Sequence, residues 1–124
     1  MHLIYPPFLA AVLLTASVMP VYAQLDPTTK IVRQPCPNLG SIRISIQGDG
    51  KVKIDGENTE PEVIDKVINA RRKDARAICI YRQETESIAP HPNAFRVTHA
   101  AGQLRLPIMF FVEGTFQMRV VKRK

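Results

Sequence analysis

The chain has 124 residues, with 17 Lys and Arg against 11 Asp and Glu, for a formal net charge of +6. That length supports one modest hydrophobic core and excludes a second unit of similar size. The charge favours anionic surroundings without choosing among membrane surface, cell-wall polymer, nucleic acid and acidic protein.

Residues 1–23 read as a signal peptide. Residues 8–19 are a nearly unbroken apolar run, and Val21 and Ala23 stand at the two positions a signal peptidase reads. The n-region is atypical, with His2 and neither Lys nor Arg. The rival reading is an uncleaved anchor, which Pro6, Pro7 and Pro20 oppose, since a spanning helix needs about 20 apolar residues. Cleavage after Ala23 is expected, leaving a periplasmic or secreted chain that carries every Lys and Arg. Its two cysteines, Cys36 and Cys79, then predict one disulfide, worth roughly 3–4 kcal/mol on the chain-entropy model. The alternative is a buried free Cys79 and an incidental Cys36.

Residues 24–40 form an extended lead-in arm, because Pro27, Pro35 and Pro37 oppose helix; Ile31 and Val32 could add a short edge strand. The rest, residues 41–124, reads as a single α+β domain. Ser41–Gln47 alternates Ile42, Ile44 and Ile46 with Arg43, Ser45 and Gln47, the pattern of a half-buried strand. Gly48-Asp49-Gly50 turns it into a return strand, Lys51–Ile54, which Asp55-Gly56 ends.

Thr59–Arg72 is predicted helical. Thr59 and Glu62 match a capping box, Pro61 lies in the first turn, and Val63, Ile64, Val67 and Ile68 make one apolar stripe. Ala77–Arg82 is apolar on both alternating faces and is expected at the centre of the sheet. After a polar loop, Asn93 caps a second helix that Gly102 stops, with Ala94, Val97 and Ala101 on its inner face. Arg105–Val112 is a strand bent or edge-placed by Pro107, Glu113-Gly114 a turn, and Thr115–Val121 the last strand. The order β-β-α-β-α-β-β predicts a two-layer sandwich, a mixed sheet with both helices on one face.

Catalytic apparatus is not evident. His91 lies in a Pro-flanked loop and His99 on a helix, too far apart along it to share a metal unaided. Glu84 and Glu86 belong to a loop; a small hydrolase site assembled from His91 with Glu84 or Glu86 stays open as a less favoured alternative. No cofactor, metal site or nucleic-acid stacking platform is read, and so no specific nucleic-acid partner. Arg71, Arg72, Lys73 and Arg76, with Lys122, Arg123 and Lys124, form a candidate basic patch for acidic polymers; a solvated, dipole-complementing helix end is the plainer reading of the first group.

Residues 42–112 resemble the periplasmic domain of the ExbD/TolR family of envelope energy-transduction proteins. The resemblance rests on Ile44-Ser45-Ile46-Gln47-Gly48-Asp49-Gly50-Lys51-Val52-Lys53-Ile54-Asp55-Gly56, the helix after Thr59, the strand at Ile78–Tyr81, the late Ala101-Gly102 and the strand Leu106–Val112. Family members carry a membrane helix with a proton-coupling aspartate, whereas residues 1–23 hold no acidic residue, so that role does not carry over. The family's acidic residue and Pro-Tyr-Gly-like turn after the central strand are replaced by Arg82-Gln83 and Pro90-His91-Pro92. The resemblance implies a non-enzymatic binding or accessory module acting on an envelope protein or cell-wall polymer, with a homodimer open. Sheet-edge pairing through Thr28, Thr29, Lys30, Ile31 and Val32, or through the Pro107 strand, is the expected mode. Membrane contact is expected only if residues 1–23 are retained.

Overall fold

A computed structural model describes residues 27–83 and 90–123. The signal segment, the start of the arm, Glu84, Glu86 and Lys124 lie outside the described residues. Among these residues seven strands form one mixed sheet: β1 (Thr29–Arg33), β2 (Ser41–Ile46), β3 (Val52–Ile54), β4 (Glu57–Thr59), β5 (Ala77–Arg82), β6 (Ile108–Phe111) and β7 (Met118–Lys122). Among the described residues two helices, α1 (Ile64–Ala70) and α2 (Pro92–Gln103), accompany the sheet in an α+β fold. The spatial order is β1-β7-β6-β5-β2-β3-β4, so β5 is the central strand.

β5 pairs in parallel with β2 and with β6, while the remaining pairs are antiparallel. The register sets Ile44 beside Ile54 and Ile80, and Ile42 beside Ile78, so the alternate apolar residues of β2, β3 and β5 share one face. Onto that face pack Ile64 and Ile68 of α1 and Ala94, Val97, Ala100 and Ala101 of α2. Ile42, Ile44, Ile64, Ile68 and Ile78 are completely buried. Each adds about 1.5–3 kcal/mol of transfer free energy, which makes this layer the main source of stability.

The opposite face carries a second, smaller cluster of Cys36, Ala77, Cys79, Met109, Phe111 and Phe116, with Tyr81 against it. No described helix contributes to it. What closes it is the arm: Cys36 is disulfide-bonded to Cys79 with Cα atoms 6.2 Å apart, inside the usual span for such a bond. Cys36 N–H also donates to Phe116 O.

Several local expectations are corrected. Asp55-Gly56 does not end the hairpin unit. With φ of 52° and 85° it makes a second tight turn, and β4 returns along β3. Thr59 is therefore a strand residue whose hydroxyl donates to Glu57 O, and no capping box forms. A short 3₁₀ turn, Pro61–Val63, leads into α1 instead, and Val63 is 39% exposed at its start. α1 stops at Ala70, and Arg71 and Arg72 lie in the turns that follow.

For α2 the N-cap is His91, whose ring accepts from Asn93 N–H, while the Asn93 side chain donates to Gly50 O at 2.8 Å. Gly102 sits within the last turn, and Arg105 takes the left-handed conformation with φ of 56°. Pro107 precedes β6, and its carbonyl accepts from Ile78 N–H. β6 lies between β5 and β7, so the Pro107 strand is an interior strand and offers no edge. The last strand starts at Met118, because Phe116 has φ of 57° and turns inward to meet Phe111 edge-on. Glu113 holds that bend, accepting from the N–H groups of Thr115, Gln117 and Met118.

Candidate binding surfaces

The arm residues form an outer strand. β1 is the terminal strand of the sheet and pairs with β7 from Thr29↔Lys122 to Arg33↔Met118. Arg123 N–H donates to Thr28 O and Gln34 N–H donates to Gln117 O. In an antiparallel ladder main-chain direction alternates, so Lys30 and Val32 also turn toward β7 while Ile31 and Arg33 turn outward. Lys30 is exposed, and Thr29, Ile31 and Val32 are half-buried. Thr28 precedes the strand and is held through its carbonyl; Thr29 O accepts from the Arg123 guanidinium.

Row by row, Ile31 lies beside Val120 and Val120 beside Phe110, which itself neighbours Ile80 of the core. These three continue the helix-side apolar face past the helices, and Phe110 is 49% exposed. The edge strand and an apolar strip are thus continuous.

The basic residues divide. Arg71 forms an ion pair with Asp55 and is half-buried, so its charge is neutralised locally. Arg72, Lys73 and Arg76 are exposed after α1, with the Arg76 stem lying against Gly40. Extending the β6–β7 register two pairs sets Lys122 level with Ile108, which pairs with Ile78 at the start of β5. Lys122 and Arg123 therefore occupy the same end of the sheet as Arg76, about 10 Å across two strand spacings. Residues far apart in sequence meet there because β7 runs antiparallel to β5. Lys124 lies outside the described residues.

The helix-free face holds an open groove of about 970 Å³. Its floor follows the register: Lys53 beside Ser45 and Ser45 beside Tyr81 make one row across three strands, and Arg43 follows two residues back along β2. The Phe116 loop forms one wall, with Gly114 against the Tyr81 ring. Arg43 lies 5.9 Å over the Phe116 ring, and its Nη2 donates to Cys36 O and Asn38 Oδ1. Ser41 Oγ, two residues further back along β2, also lines the groove, is enclosed and has no hydrogen-bond partner among the described residues. This groove was not foreseen from sequence. The alternation that makes β2 half-buried marks Arg43 and Ser45 as outward, but only the strand order brings Lys53 and Tyr81 beside them.

Of the catalytic candidates, Glu84 and Glu86 lie outside the described residues, and the two histidines are placed apart. His91 is spent as a helix cap with its ring packed over Gly50, and exposed His99 pairs with Gln103. Among the described residues no group of three His, Cys, Asp or Glu side chains could hold a metal ion, and no helix is long and apolar enough to cross a membrane. No protein-family model matches the chain, and no curated protein is similar to it.

Proposed function

We propose that this chain is a non-enzymatic exported binding module, comparable to an ExbD/TolR periplasmic domain, that engages an envelope protein or wall polymer through its β1 edge. The supporting observation is the placement of Thr29–Arg33 as the outermost strand of a seven-stranded sheet, tethered just beyond its end by the Cys36–Cys79 bond. A pinned edge strand presents main-chain donors and acceptors with little ordering cost, which suits strand addition. The adjoining strip of Ile31, Val120 and Phe110 offers apolar contact for alternate side chains of an added strand.

Ile31→Pro is the test. It removes an outward N–H, and proline is tolerated on an edge strand when the lost donor faces away from the ladder. Retention of envelope fragments by the immobilised full chain at about 500 mM salt, where surface charge attraction is screened within a few ångströms, is expected for wild type and lost for Ile31→Pro. Equal retention by both proteins rejects the edge reading.

The gathering of Arg72, Lys73, Arg76, Lys122 and Arg123 at one end favours a second reading, binding of acidic polymers or a membrane surface by charge. In that case retention disappears at high salt for both proteins.

A further inference from the structure

The groove on the helix-free face has an unusual balance of hydrogen-bonding groups. Among the described residues its lining holds one carboxylate, Asp55, which is committed to Arg71 and to the Arg43 main-chain N–H. Within the described residues Arg43 donates from its guanidinium through Nη2 alone, and the Lys53 ammonium and the Ser45 and Tyr81 hydroxyls take no partner. Arg43 and Lys53 are diagonal neighbours across β2 and β3, since Ser45 pairs with Lys53. Such positions lie about 7–8 Å apart, so two uncompensated cations flank a row of neutral hydroxyls.

We propose that this face binds a carboxylate-bearing sugar, free or as a unit of a polymer. A carboxylate suits the fixed Arg43 fork, which is already oriented by Cys36, Asn38 and the Phe116 ring. Sugar hydroxyls both donate and accept, and so match the Ser45 and Tyr81 hydroxyls. The Tyr81 ring supplies the flat apolar surface that a sugar face covers. The row from Lys53 to Tyr81 spans two strand spacings, about 10 Å, the breadth of one or two sugar rings. A compact phosphate fits less well: it is ordinarily held by converging main-chain N–H groups or a helix N-terminus, and no described helix N-terminus lines this groove, which meets α1 only at Arg71, just past its C-terminal end. The site is separate from the β1 edge and stands whether or not that edge binds a partner.

The test is an amide chemical-shift titration of the ¹⁵N-labelled full chain with galacturonate, trigalacturonate, a neutral trisaccharide and inorganic phosphate. The expected result is saturable perturbation by the acidic sugars at Arg43, Ser45, Lys53 and Tyr81, and none by the neutral sugar at the same concentration. Tighter binding of trigalacturonate than of the monomer assigns a polymer; equal binding assigns the free sugar acid. Lys53→Gln should weaken binding about tenfold, the loss of one charge-assisted hydrogen bond. Tyr81→Phe should weaken it several-fold and leave the fold intact, because the hydroxyl has no partner within the described residues. Equal perturbation by phosphate, shifts confined to the Arg76 and Arg123 end, or Lys53→Gln without effect each overturn the proposal.

Discussion

Gly50 and His91 show how one contact couples two distant turns. Gly50 has φ of 93°, and a Cβ there would overlap the His91 imidazole. The ring is fixed because its Nδ1 caps α2, and Asn93 reaches back to Gly50 O. Gly56, by contrast, has φ of 85° with open space around it. Gly56→Ala should therefore cost only the left-handed strain, about 1–2 kcal/mol. Gly50→Ala should cost that plus overpacking, about 1–3 kcal/mol more. In urea unfolding, the excess at Gly50 should shrink in a His91→Ala background, whose own penalty is about 1 kcal/mol for the lost cap. An unchanged excess would show that the His91 contact is irrelevant to the Gly50 requirement.

At the scale of elements, the disulfide decides whether β1 belongs to the sheet. It closes a 43-residue separation between the arm and the fully buried Cys79 of the central strand. On the chain-entropy account such a loop contributes about 4 kcal/mol. Replacing both cysteines with Ala should lower unfolding free energy by that order and raise hydrogen exchange in β1 more than in β5. β1 makes strand pairs with β7 alone, whereas β5 is paired on both sides. Uniform acceleration across both strands would mean that the arm is held by its ladder and not by the sulfur bridge.

The same elements show what was legible beforehand. β5 matches its expected span residue for residue because a run apolar on both faces, Ile78 to Tyr81, fits only an interior strand. The β2–β3 hairpin was equally clear from its three alternating isoleucines and its Gly-Asp-Gly turn. The missed β4 had a signal in Asp55-Gly56, a two-residue hairpin turn, but Glu57-Asn58-Thr59 has no apolar residue to mark it as a strand. The caps were misassigned because Thr59 and Asn93 are good capping types whose side chains are drawn elsewhere, to Glu57 O and Gly50 O. Neither partner is visible without the sheet. The groove was hidden for the same reason: Lys53, Ser45 and Tyr81 become a row only through strand order.

Across the whole molecule, charge is arranged by topology more than by composition. The basic run after α1 looks continuous in sequence, yet Arg71 is turned to Asp55 while Arg76 is left to join Lys122 and Arg123 at the same end of the sheet. If a polyanion binds at that end, each neutralised contact should add about 0.7–0.9 to the slope of log affinity against log salt. Arg76→Gln and Lys122→Gln should each lower the slope by about that amount for heparin or polyphosphate. Arg71→Gln should leave the slope unchanged, because its charge is already matched, and should instead reduce stability by leaving half-exposed Asp55 unpaired. The expected cost is about 1 kcal/mol, the upper range for a solvent-accessible ion pair. Salt-dependent binding by fluorescence anisotropy, with urea unfolding of the same variants, separates the two roles. A slope that falls equally for Arg71→Gln and Arg76→Gln would show that the Asp55 pair opens to the ligand, and that the basic patch acts as the uninterrupted run written in the sequence.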